Sequence, residues 1–327
     1  MSIEFAHHLL RSRPFQEEYY RFGKGIVADL WSTNYSEMRN ITIALPDVLE
    51  QSAIATFLDR EAGRIDALIA EQEKLIVLLA EKRQATISHA VTRGLNPKAQ
   101  MRDSGVMWLG EVPAHWQVSA LSYVAKIETG ATPDRGEQNY WNGSIPWIKT
   151  GEINWTPISE TEEFITEAAI ANSAVKVAKP GTLMMAMYGQ GVTRGRVALL
   201  TIDATYNQAC AAISFGPRIT VEYGRYFFMG AYDHIRDGGN ETSQMNLGAG
   251  IIAKIKIPIP PVHEQLRIAD CLDAETSKLD ILKAEAERAI ELLKERRSAL
   301  IAAAVTGKID VRGAVQSPVN KREELVI

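Results

Sequence analysis

The chain has 327 residues, 46% of them hydrophobic, and a formal net charge of −4, which allows one to three domains with a sizeable core and excludes a disordered chain. Cys210 and Cys271 lie far apart without metal-ligand spacing, so they read as two buried apolar residues in a reducing compartment rather than a disulfide or a metal site. There is no run of 18 apolar residues, and the start MSIEFAHHLLRSRP has neither an apolar core nor a small-residue cleavage site, so nothing supports membrane insertion or secretion and the cytoplasm is expected.

Residues 1–44 read as an aromatic-rich helical piece, a polar loop with glycine, and an apolar strand at Ile41–Leu45. The adjacent His7 and His8 have no carboxylate or cysteine at ligand spacing, and no metal is expected there. Residues 45–94 form the stretch around which the chain is organised. They are predicted to be one long helix, with Pro46 ahead of it, Gly94 after it, and a coiled-coil stripe of Ile54, Leu58, Ile65, Leu68, Leu75 and Leu79. The same stretch is written again at residues 259–308, with the stripe Ile268, Leu272, Leu279, Leu282, Ala289 and Leu293 and a closing Gly307. Without a gap, 24 of the 48 positions from Leu45 to Thr92 are identical in the copy. A long helix with one apolar stripe cannot bury it alone, so the two copies are expected to pack on each other.

Between the helices, residues 95–258 carry short apolar or alternating runs such as IPWIKTGEI, GTLMMAMYG, RVALLTI and CAAISF, broken by Gly, Pro, Asn and Asp. They predict a domain with substantial strand content and helices at Thr166–Ser173 and Tyr223–Ile235. Residues 309–327 read as a frayed tail. The fold class is therefore α+β, a mixed α/β domain beside two long coiled-coil helices.

The net charge hides a contrast. From Gln100 to Ala169 there are 4 Lys or Arg against 10 Asp or Glu, and from Ile170 to Lys256 there are 9 against 5, so a phosphate-facing surface is expected in the second stretch. Catalytic motifs are missing. No acid is followed two residues later by Lys, no Asn or Asp by Pro-Pro and an aromatic, and there is no P-loop, so neither catalytic residues nor a cofactor are expected. The neighbours Glu162 and Glu163 read as a solvated face.

Two glycine-flanked loops carry recognition chemistry instead. In YGQGVTRGR, Tyr188, Gln190, Thr193, Arg194 and Arg196 combine close backbone approach with hydrogen-bonding groups suited to base edges and phosphates. In DGGNETSQMNLGAG, Asn240, Thr242 and Gln244 offer uncharged readers. Lys149, Lys176 and Lys179 are weaker phosphate candidates.

The runs WLGEVPAHWQV, ETGATPDRGEQNYWNGSIPWIKTGEI, KPGTLMMAMYGQGVTRGRVALL, YNQACAAI and IPIPPVHEQLRIADCLD, in this order, make the chain resemble the DNA-specificity subunit of type I restriction-modification systems. The resemblance implies two target recognition domains that each read half of an interrupted site in double-stranded DNA, and two long helices packed antiparallel as a spacer. It also implies docked methyltransferase subunits, and restriction subunits that add translocation and cleavage. Against that pattern, residues 95–258 match one complete recognition domain and residues 1–44 only the end of another. A shortened form is expected to pair with a second copy or a separate half-subunit. The rival expectation is a coiled-coil scaffold whose inserted domain binds another protein.

Overall fold

The structure is a computed structural model that describes residues 1–24, 34–189, 193–237 and 247–311. In chain order the helices are α1 (Ile3–Arg11), α2 (Arg13–Arg21), α3 (Tyr35–Met38), α4 (Val48–Arg93), α5 (Glu167–Asn172), α6 (Val221–Gly230), α7 (Tyr232–Asp237), α8 (Ala249–Lys254) and α9 (Val262–Val305). The strands are β1 (Met101–Asp103), β2 (Glu111–Pro113), β3 (Gln117–Ala120), β4 (Ala125–Thr129), β5 (Trp141–Ile148), β6 (Glu163–Ile165), β7 (Val177–Ala178), β8 (Leu183–Ala186), β9 (Val197–Leu199), β10 (Ala204–Tyr206), β11 (Cys210–Phe215) and β12 (Lys256–Ile259). Two compact units divide the chain, residues 1–79 with 280–327 and residues 80–279, and each contains one end of α4 and one end of α9.

The first unit is built on a small apolar cluster. Phe5 and Leu9 of α1 meet Ile54 and Leu58 of α4 and Ile301, Ala304 and Val305 of α9. The beginning of α4 thus packs on the end of α9, which makes the helices antiparallel, and Asp66 pairs with Arg297 at 2.7 Å on the same pair of helices. In the second unit Ile87, Ala90 and Val91 share a core with Ile268, Ala269 and Leu272, the same relation at the other ends. Gly94 and Gly307 stop the helices with φ of +75° and +71°, a conformation that costs a residue with a Cβ.

The sequence repeat is also a repeat of hydrogen bonds. Gln265, wholly buried in the first turn of α9, accepts from the Thr220 N–H at 2.8 Å and donates to the Arg218 and Pro260 carbonyls, each at 2.8 Å. Its counterpart Gln51, also buried, accepts from the Ser2 N–H at 2.6 Å and donates to the Pro46 carbonyl at 2.7 Å. Ser2 and Thr220 are themselves the N-caps of α1 and α6. His8 of α1 meets Asp59 of α4 at 2.8 Å, and the matching Tyr226 of α6 donates to Asp273 of α9. Each long helix is thereby fastened near its start to a short helix by one buried amide and one carboxylate.

In the second unit two four-stranded sheets face each other, ordered β6-β5-β10-β7 and β4-β11-β8-β9, with β10 and β5 parallel. β8 is buried throughout and alternates sides. Met184 and Ala186 join Ile148, Ala178, Ala204 and Tyr206 between the sheets, while Leu183 and Met185 face α6 and the helix ends. β11 does the same, with Cys210 and Ala212 on one side and Ala211 and Ile213 on the other. Four alanines on these facing surfaces, Ala178, Ala186, Ala204 and Ala212, leave room for the sheets to approach closely. Two short ladders complete the unit, β1 with β2 and β12 with β3.

Several expectations are corrected. The seam of the long helices runs through Ile65, the half-buried Ile69, Gln72 and Ile76, and then Leu79, whereas Leu68, Leu75 and Leu282 are exposed and Ala286 and Ile290 are buried. Steps of four and three are right, but adjacent apolar pairs such as Leu68–Ile69 leave the phase to packing. The helix expected at Tyr223–Ile235 is two helices, because α6 ends at Gly230 with Ala231 as its cap and α7 begins afresh at Tyr232. Ile41–Leu45 is irregular, whereas its counterpart β12 is a strand because β3 pairs with it. Cys271 is only half-buried.

The packing makes two outcomes measurable. Gln265→Ala takes the partner from the Thr220 N–H and from the Arg218 and Pro260 carbonyls, the last of them buried, and the expected loss of unfolding free energy is about 3 kcal/mol, read from urea denaturation; an unchanged midpoint would mean water replaces the amide. Burial also pushes the Cys210 thiol up to about 12, so iodoacetamide at mildly alkaline pH should label Cys271 and spare Cys210 in the native chain, with both labelled after unfolding.

Candidate nucleic-acid interface

The loop between β8 and β9 grows from a rigid base. The Ala186 N–H bonds the Arg196 carbonyl at 2.9 Å and the Gly195 N–H bonds the Ala186 carbonyl at 2.8 Å, closing the neck of the loop. Gly189 (φ +139°) starts it, and a Cβ there would lie 2.8 Å from Thr193, so only glycine fits. Tyr188 is half-buried with its ring against the main core, and Thr193, Arg194 and Arg196 are half-buried. Arg194 reaches across and donates from Nη2 to the Arg236 carbonyl of α7 at 2.6 Å. The Nε of Arg196 is shielded from solvent and has no hydrogen-bond partner among the described residues. Gln190 lies outside the described residues, as do Asn240, Thr242 and Gln244.

α7 is where the surroundings of this loop converge. The Tyr232 ring meets Trp155 edge-on at 4.9 Å, and the guanidinium of Arg236 sits 5.3 Å from the Tyr232 centroid. Trp108 stacks on His234 at 4.5 Å, and burial lowers the His234 pKa below its usual range, favouring the neutral ring. The chain then runs from α7 into residues 238–246, so both glycine-flanked loops of the sequence start or end beside this helix.

The three lysines proposed for phosphate already have acidic partners. Lys149 binds Glu162 at 2.7 Å and Glu163 at 3.1 Å, and these hydrogen bonds hold its ammonium above the usual lysine range. Lys176 binds Glu128 at 3.1 Å and Lys179 binds Asp203 at 2.9 Å. Glu162 and Glu163 are therefore not simply a solvated face. Glu163 is half-buried between Arg135 and Lys149, which hold its carboxyl below the usual range. Exposed pairs of this kind add little stability, but they do neutralise charge.

Sequence reasoning missed Arg135, Trp155, Tyr232 and Arg236. Arg135 stacks 3.8 Å from the Trp141 centroid and 4.9 Å from that of Trp147 while binding Glu163 at 2.6 Å. The run PDRGEQNYW held the signal, an arginine six residues ahead of a tryptophan. For Trp155 no local signal exists. Among the described residues no group of three or more His, Cys, Asp and Glu side chains is arranged to hold a metal, and no helix is long and apolar enough to cross a membrane.

Residues 113–292 match the family model described as type I restriction modification DNA specificity domain. The chain belongs to that family. It is similar to the EcoR124I/EcoR124II specificity subunit of Escherichia coli, 25% identical over 299 residues that make up 90% of this chain and 68% of that one. Across the curated relatives matched first, this chain spans about two thirds of their length or less. Its fold is that of solved specificity subunits. A chain from a structure on complex assembly and conformational transition of the type I R-M system matches with a TM-score of 0.69 at 18% identity, covering 94% of this chain and 71% of that one. The HsdS subunit from Thermoanaerobacter tengcongensis matches with a TM-score of 0.57 at 18% identity, covering 94% and 70%. The family is one of DNA-specificity subunits, and the α+β fold with a long helix at each end of the sheet domain is the fold of its solved members.

Proposed function

We propose that this chain is a non-catalytic, sequence-specific DNA-binding subunit. It directs the methyltransferase and restriction subunits of a type I system to an interrupted site in double-stranded DNA, and it works in the cytoplasm. The observation that carries the reading is the β8–β9 loop of a chain in the DNA-specificity family. Arginines 194 and 196 stand on a neck closed by backbone hydrogen bonds, beside the helix that leads into the second polar loop. Tyr188, Gln190, Thr193, Arg194 and Arg196, with Asn240, Thr242 and Gln244, are the residues assigned to DNA. Lys149, Lys176 and Lys179 are assigned a minor, long-range share because carboxylates hold them.

In this reading residues 95–258 are the complete recognition domain, 1–44 the closing part of another, 45–94 and 259–308 the spacer helices that also receive the methyltransferase, and 309–327 a tail. The repeated glutamine and carboxylate clamps support that division. So does a reversal of exposure between equivalent positions. Ile257, Ile259 and Phe228 are 0%, 7% and 0% exposed, while their counterparts Ile43, Leu45 and Leu10 are 37%, 57% and 45% exposed. In the second unit this face is covered by β3 and the body of the recognition domain. The matching part of a second recognition domain, from another copy or a separate half-subunit, suits the exposed face.

Two outcomes test the reading. Replacing Arg194 and Arg196 together by Ala should weaken DNA binding by about tenfold or more and flatten the salt dependence by one to two units, roughly one for each phosphate that is no longer neutralised; binding and slope equal to the parent chain would remove the loop from the interface. Light scattering combined with selection from randomised duplex DNA, with the methyltransferase present, should give a two-domain assembly that selects an interrupted site. The coiled-coil scaffold reading instead requires no DNA affinity at any salt concentration.

A further inference from the structure

Trp155 is held at φ +77°, a region that bulky L-residues rarely occupy. A strained backbone persists where its surroundings over-determine it, and such residues gather at functional sites. Here the surroundings are identifiable. Ile153 and Ile158 bury themselves in the core between the sheets on either side of the turn. The Ile158 N–H bonds the Leu199 carbonyl at 2.8 Å and its own carbonyl accepts from the Thr201 N–H at 3.0 Å, so the turn is pinned to the end of β9. The Trp155 ring packs inward on the main core and edge-on to Tyr232, while Asn154, Thr156 and Pro157 remain exposed. Thr156 donates its hydroxyl hydrogen to the Asn154 side-chain oxygen at 2.5 Å, which orients the amide.

The position of the turn matters as much as its strain. Tyr232 is shared: Trp155 meets its ring, and the Gly195 backbone lies so near that a Cβ there would come within 3.7 Å of the same ring. The turn is therefore contiguous, through one aromatic ring, with the Arg194–Arg196 segment. Its exposed groups are neutral. An exposed Asn amide is suited to the N6 and N7 edge of adenine, and a Thr side chain to a base edge or a thymine methyl.

We propose that the Asn154–Thr156 turn is a third reading element of the interface, in which Asn154 and Thr156 meet base edges and Trp155 is the positioning residue that aims them. The inference rests on the DNA-binding reading above. Because the turn carries no charge, it acts on sequence preference and not on the counterion release that sets salt dependence.

The test is selection of bound duplexes from a randomised pool by the full chain with methyltransferase, comparing the parent, Asn154→Ala, Trp155→Phe and Trp155→Gly. Glycine accepts the positive φ and removes the ring; phenylalanine keeps an aromatic group and guards against a variant that fails to fold. The expected result is a loss of about tenfold in discrimination at one or two adjacent base pairs for Asn154→Ala and Trp155→Gly, partly kept by Trp155→Phe, with the salt slope unchanged in all three and the melting temperature unchanged in Asn154→Ala, whereas Trp155→Gly lowers it because the ring leaves the core. Selection of the parent sequence with parental discrimination by Asn154→Ala and Trp155→Gly overturns the inference and leaves the DNA-binding reading standing. A parent chain that selects no sequence overturns both.

Discussion

The amide side chains of Gln51 and Gln265 are the contacts on which the two ends of this protein depend. Each is buried in the first turn of a long helix, where an unpartnered amide would cost about as much as several exposed ion pairs contribute. Each instead closes a loop of hydrogen bonds, accepting from the capping residue of a short helix and donating to a carbonyl just ahead of the long one. The long helix and the short helix are thereby made one piece. Apolar contacts from Phe5 and Leu9 in one unit, and from Tyr223 and Phe227 in the other, then have a fixed partner surface. Tyr223 adds to this with one hydroxyl hydrogen shared between the Val91 and Pro258 carbonyls, at 3.1 and 3.0 Å, a contact that Phe5 cannot make.

The recognition domain uses a different means of rigidity. β8 and β11 are buried on both faces, so the loop between β8 and β9 leaves a strand that cannot shift register without moving every core side chain to the wrong side. A loop with three glycines loses much conformational entropy when it is held, and the neck bonds between residues 186, 195 and 196 restrict it where it meets the sheet. α7 braces it from outside through the Arg194 bond to the Arg236 carbonyl. The arrangement places polar loop chemistry on a rigid platform, which suits a family whose task is to distinguish DNA sequences.

Charge needs the folded chain to be interpreted. Part of the acidic stretch between residues 100 and 169 is paired inside the unit: Glu128 binds Lys126 and Lys176, and Glu163 binds Arg135 and Lys149. Two of the lysines that a linear count offers to DNA phosphates are thus the counter-ions of nearby carboxylates. Arg135 is doubly engaged, by Glu163 and by the faces of Trp141 and Trp147. Neighbours in space, not neighbours along the chain, decide which cations are available to a polyanion.

By itself the sequence determined the internal repeat, the two long helices and their packing on each other, the α+β class and the family, while their antiparallel sense was only what the resemblance implied. Those features are written as periodicity, punctuation and motifs, all of which act over a few residues or recur at a constant offset. It located the glycine-rich β8–β9 loop for the same reason. Only the tertiary structure decided the phase of the helix seam, since Leu68 and Ile69 are equally apolar and packing alone buries the second. It alone made β12 a strand and left Ile41–Leu45 irregular, because a strand is completed by a partner and β3 serves only β12. It alone paired the lysines and turned Trp155 onto Tyr232 against its backbone preference, since that contact joins residues 77 positions apart that no local pattern relates.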